Sequence, residues 1–289
     1  MEKVFKSTEE LLEYLESNGV SIKNEEKAKE NIEDYTYYSI INGYKSLFKN
    51  ENNKYKENVR FEEIFALYAF DRNIKNIYLK YILELETIVK SRIANLFIEK
   101  YGAMNYLKRE NFAKDLDEKL IRDLIKYINI EVKINKKKHI AVAHYLKKYK
   151  DVPFYVVVKV LTLGTISRFY GLMKQGDRNQ IGKSFGLRDN VLKVVLIHFT
   201  NIRNICAHLD RLFSYQNKMT ISFKNIDRNY KTENNITNLY MITEYIKLML
   251  KKQKRIKFEK ELKKEFQLLK KSLKSISIKD VKNSMGFIK

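Results

Sequence analysis

Arg203, Asn204 and His208 stand within six residues of one another in the stretch NIRNICAHLDRLF, 201–213. An imidazole titrates near neutrality, so it can take a proton from a hydroxyl or return one to a leaving oxygen. A guanidinium suits the charge that gathers on phosphorus oxygens in a transition state. An amide can orient either group. With a ribose 2′-hydroxyl as nucleophile, these three suffice for metal-independent RNA cleavage by internal transesterification. The products are a 2′,3′-cyclic phosphate and a 5′-hydroxyl, and DNA lacks the nucleophile. One histidine is half of an acid–base pair, so two copies facing each other across a homodimer are expected.

The chain has 12 arginines and 4 histidines, so Arg-x(4–6)-His alone is worth about 0.5 chance matches, and an Asn after the Arg lowers this to about 0.04. Helical geometry adds weight. At about 100° per residue, Leu192, Val195, Phe199, Ile202, Cys206 and Leu209 make one apolar stripe. Asn204 and His208 lie opposite it, Arg211 joins them, and Arg203 sits at its edge. His139 and His144 fall in a lysine-rich helix and His198 within the apolar helix. None has a carboxylate or cysteine at ligand spacing, so neither a metal nor a cofactor is expected.

The elements that must position this motif are helical. One proline, 9 glycines and 44% apolar residues in 289 leave long stretches free to propagate as helix, and the expected class is all-α. Ser7 and Glu10 form a capping box, and Asn24 suits a second cap. Residues 61–100 repeat apolar side chains at helical spacing, with a kink expected at FDRN, 70–73. KINKKKH lies in the second of two helices within 110–150, Pro153 starts a very apolar stretch, and NKMTISF, 217–223, is the one passable strand. Glu86 and Lys90 read as a surface or interface ion pair. The chain divides at the polar patch KNENNKYKEN into a helical segment 1–58, a main helical domain 59–235 and a basic amphipathic extension 236–289.

Formal net charge is +22, which favours a polyanion, nucleic acid before membrane. Half of that excess falls between Lys247 and Lys289, where Leu262, Phe266, Leu269, Leu273 and Ile276 keep helical spacing. Lys136, Lys137 and Lys138, Arg211, and Lys251, Lys252, Lys254 and Arg255 are the expected RNA contacts. The lone Cys206 reads as a core residue in a reducing compartment. No signal peptide or membrane-length apolar run is evident, so a cytoplasmic protein without membrane attachment is expected.

The segment RNICAHLDRL closely resembles the end motif of Abi-like abortive-infection proteins, the AbiD/AbiF group of the HEPN superfamily. INGYKSLF, FEEIFALYAFDRNIKNIYLKYILELETIVKSRIA, VPFYVVVKVLTLGTISRFYGLM and IGKSFGL follow in that family's order, and the likeness covers most of 35–215. The resemblance implies a HEPN-type bundle with paired Arg-His motifs at a dimer groove. It also implies an RNase toxin acting in phage defence, with a structured small RNA as antitoxin or cofactor. Arg203, Asn204 and His208 match the motif. Many members carry a second histidine where this chain has Leu209. The alternative is a non-catalytic RNA-binding HEPN protein that forms a ribonucleoprotein with a small RNA.

Overall fold

Local signals set the first elements. Ser7 and Glu10 cap each other's backbone at the start of α1 (Thr8–Ser17), which closes just before Gly19 at φ +90°. The Asn24 side chain accepts the Lys27 N–H and opens α2 (Glu25–Tyr35). A π-helical turn at Tyr38–Asn42 and a 3-10 turn at Lys45–Phe48 lead on to α3 (Phe61–Tyr101). The computed structural model describes residues 6–208, 210–223, 226–227, 230 and 236–287.

α3 is a single helix of 41 residues, about 60 Å long at 1.5 Å per residue. It passes unbroken through 70–73, where the sequence suggests a kink. The stretch holds neither proline nor glycine, and buried Asp71 is met by Lys75 of the same helix and by Tyr44, Leu212 and Phe213 from outside it, so nothing enters the backbone ladder. Gly102, at φ +82°, ends it.

The remaining helices are α4 (Glu118–Asn135), α5 (Ile140–Tyr149), α6 (Phe154–Val160), α7 (Leu163–Leu172), α8 (Gln175–Ser184), α9 (Asp189–Ala207), α10 (Leu239–Met249), α11 (Lys252–Ser272) and α12 (Ile278–Ser284). Strands β1 (Gln216–Asn217) and β2 (Thr237–Asn238) pair antiparallel. The class is all-α, as expected. Two local expectations, for KINKKKH and NKMTISF, need correction. KINKKKH is not helical throughout: α4 stops at Asn135, and Lys136, Lys137 and Lys138 form an exposed turn before His139 caps α5. The apolar stretch after Pro153 is two helices, because the Thr162 hydroxyl accepts the Thr165 N–H and starts a new one. NKMTISF contributes only Asn217 to a strand, since the Thr237 hydroxyl takes the Ile221 N–H and donates to Met219 O, replacing ladder partners.

α3 is the axis of the bundle, packed by α6, α7, α8, α9, α10 and α11. α9 runs antiparallel to it. At one end Arg92 donates to Ser184 O (2.6 Å) just before α9, and at the other Asp71 holds the chain that follows α9. α11 lies along α3 with Phe258 edge-on to Tyr78 and Tyr81, and Glu261 pairs with Lys80 at 2.7 Å. Leu262, Leu269, Leu273 and Ile276 are buried, so the basic extension is amphipathic and packed. Core residues run continuously from Leu12 to Met285.

Gly182 sets how α8 meets α9. A Cβ there would stand 2.7 Å from Leu187 O and 3.2 Å from Asp189 N. Neither is a side chain that can swing away, so Gly182→Ala is expected to destabilise by about 1–3 kcal/mol. Urea denaturation of wild type and variant checks this.

Candidate functional site

The site forms where α9 ends. Val191, Leu192, Val195, Phe199, Ile202 and Cys206 are buried, which leaves Asn204 exposed and Arg203 half-buried beside it. Ala207 is the last helical residue. His208 is the C-cap at φ −97°, ψ 8°, exposed, with its N–H donated to Asn204 O at 2.9 Å. Arg203 Nη1 lies 3.5 Å from Asn204 Oδ1. The structure therefore brings Arg203, Asn204 and His208 together at one exposed helix end. Leu209, expected on the apolar stripe, lies outside the described residues.

Arg211 does not join them on a helix face, because the helix has already ended. Its guanidinium turns to the Gly43 carbonyl at 2.5 Å, beside the π-helical turn, and lies 5.8 Å from the Phe213 ring centroid.

What fixes this end is Asp71, which the sequence reading passed over. Its carboxylate is fully buried and accepts from Phe213 N–H (2.6 Å), Tyr44 Oη (2.7 Å) and Leu212 N–H (3.2 Å). Lys75, one turn further along α3 and also buried, lies 3.6 Å from Asp71 and donates to Asp210 O at 3.1 Å. Burial pushes the Asp71 carboxyl up, and Tyr44, the Lys75 ammonium and the two N–H groups oppose that rise. The Tyr44 ring stacks on Phe213 at 5.5 Å. Residues 210–213 are thus tied to α3 immediately after His208. A visible signal existed: Asp71 and Lys75 continue the apolar row of Leu67, Ile74 and Tyr78, where a charge must find a partner.

His198, ten residues before His208, is fully buried. Nε2 faces Met219 O at 2.9 Å and Nδ1 faces Tyr215 Oη at 2.9 Å. A carbonyl only accepts, so Nε2 carries the proton and Nδ1 accepts from the tyrosine. Burial lowers its pKa against the pull of the Met219 carbonyl. The folded chain holds it neutral while the unfolded chain binds a proton below about pH 6.5. Its contribution is therefore complete above that pH and declines as pH falls toward the depressed folded value. Melting curves from pH 7 to pH 5 should fall less steeply for His198→Gln than for wild type.

Cys206 is buried and its thiol is pushed up to about 12 by that burial, so it is an unreactive core residue. Glu86 and Lys90, expected as a surface or interface ion pair, do pair at 2.6 Å, with side chains only 10% and 14% exposed, where α6 packs on α3. Among the described residues no group of three His, Cys, Asp or Glu side chains could hold a metal ion. No helix among them is long and apolar enough to cross a membrane.

The expected RNA contacts stand on separate elements. Lys136, Lys137 and Lys138 occupy the exposed α4–α5 turn. Lys251, Lys252, Lys254 and Arg255 are exposed at the start of α11. The first three line a hollow of about 780 Å³ with Arg92, Thr87 and Ser91 of α3, and Lys254 reaches Glu84 at 3.1 Å. The α11 carboxylates are used inward: Glu259 on Lys247, Glu261 on Lys80, Glu265 on Asn73.

Fold and site together define an all-α bundle built on one long helix, presenting an Arg-Asn…His group at the end of a second. Among known families, the one described as Abi-like protein matches residues 30–214. The chain belongs to that family, and the match supports a part in abortive infection, a form of phage defence. It takes in α3, α9, Asp71 and all three motif residues. No curated protein and no solved structure matches the chain.

Proposed function

We propose that this protein is a metal-independent endoribonuclease of the HEPN type and the AbiD/AbiF group, acting as a toxin in abortive infection or in a toxin–antitoxin pair in the cytoplasm. The observation that carries the reading is the exposed His208, held at the end of α9 one residue from the chain that Asp71 and Lys75 grip. His208 exchanges the proton, Arg203 meets the phosphate charge, and Asn204 orients them. A second copy brings a second histidine, so the active form is a homodimer.

The partner is RNA, both as substrate and as a structured small RNA that controls the toxin. Lys251, Lys252, Lys254 and Arg255 support this. Cations there face the positive end of the α11 dipole, each unfavourable by about 0.3–1 kcal/mol, and a phosphate backbone relieves that. Lys136, Lys137 and Lys138 add to the attraction from the α4–α5 turn.

The deciding experiment incubates a mixed RNA pool in EDTA with wild type and with His208→Ala, followed by end-group analysis. Cyclic phosphate ends from wild type alone are expected. Intact RNA in both, with RNA still bound, would replace the enzyme by a non-catalytic ribonucleoprotein component.

A further inference from the structure

Beside the motif, the wall that follows it turns back and leaves a shallow depression of about 510 Å³. Asn201 and Asn204 of α9 form one side, Gln216 and Asn217 of β1 the other, with Arg211 and Ser214 between them. The composition is unusual for this molecule. The chain carries 57 Lys and Arg and 35 Asp and Glu, yet the depression has four carboxamides, two hydroxyls (Ser214 and Tyr215), one guanidinium, no lysine and no carboxylate. A phosphate site in so basic a chain would draw on its lysines.

A carboxamide offers a donor and an acceptor side by side in one plane, without net charge. The edge of a nucleobase is built the same way, which is why Asn and Gln read bases in bidentate fashion. A guanidinium plane adds a face on which a base can stack. The volume also falls within the roughly 300–1,000 Å³ of small-molecule clefts.

The wall is held in place from behind. Tyr215 is pinned by buried His198, and Asn201 and Asn217 approach its hydroxyl. Asn217 Oδ1 accepts the Met219 N–H at 2.8 Å, and β1 is paired to β2. One lining residue, Asn204, belongs to the motif itself, and its backbone carbonyl accepts the His208 N–H at 2.9 Å. We infer that this depression is a base-reading subsite, which takes a nucleobase of single-stranded RNA adjacent to the phosphate at His208. The inference rests on the RNA-directed reading above and extends it to sequence preference.

Binding tests it apart from cleavage. The full chain bearing His208→Ala is titrated with labelled octamers A8, C8, U8 and (UG)4. One octamer should bind more tightly than the rest, within the roughly 5- to 150-fold range of a single amide–base pair. Adding Asn201→Ala or Gln216→Ala should flatten that preference, and neither residue is in the buried core. Lys251→Ala with Lys252→Ala should instead weaken all four octamers alike.

Equal affinity for the four octamers, or a preference that survives both amide substitutions, would overturn the inference. So would a failure of every octamer to bind. Because the protein measured lacks His208, an inactive wild type leaves a positive result standing. A wild type that cleaves without base preference removes the subsite and keeps the nuclease.

Discussion

Replacing Asp71 with asparagine should lower the melting temperature by about 10 °C and loosen the end of α9. The substitution keeps the shape of the side chain and removes its charge. Lys75, buried at 3.6 Å from it, then loses its carboxylate partner. Breaking a buried pair in this way costs about 3–5 kcal/mol, and each kcal/mol moves the melting point of a chain this size by about 2–4 °C. Two backbone N–H groups, of Leu212 and Phe213, also lose an anionic acceptor. The pair gives its own control. Asp71→Asn with Lys75→Met removes both charges and should recover part of the lost stability in a calorimetric scan. If the single variant melts with the wild type, Asp71 is not the anchor of residues 210–213.

The second large effect concerns His208. His208→Ala should reduce RNA cleavage by about 10²–10⁴-fold, the usual contribution of one acid–base group, and leave the melting temperature within about 1 °C. His208 is exposed, and truncating a surface side chain costs little. Stability and activity should therefore separate at His208 and fall together at Asp71. Arg203→Lys keeps the charge and loses the planar fork, so it should retain partial activity and Arg203→Ala less. Random dimers of wild type and His208→Ala in equal amounts should show about one quarter of full activity if both histidines are needed, and about one half if each works alone.

Much of the fold was legible because its signals are local. The capping box at Ser7, the Asn24 cap, the stop at Gly102 and the apolar spacing of the extension each act over a few residues, and the structure has all four. Arg203, Asn204 and His208 could be grouped for the same reason, since one helical turn joins them. Asp71 could not be grouped with them. Its bonds to Leu212 and Phe213 span 141 and 142 residues, and no periodicity encodes which loop a buried carboxylate will hold. The amide-lined depression was hidden similarly, because Gln216 and Asn217 meet α9 only after the chain reverses. Arg211 was misplaced by continuing the helix past Ala207, a boundary set by tertiary bonds rather than by propensity.

The distance along the chain between Asp71 and its partners has a bearing on synthesis. A ribosome releases α3 long before it releases α9, and until Phe213 emerges the carboxylate has no N–H groups to hold. α11, which closes over α3 through Phe258, comes later still. An unfinished chain thus carries the motif's letters without its geometry, and a truncated message yields no assembled site. On the proposed RNA-directed reading, that order of events would protect the template from which the chain is being read.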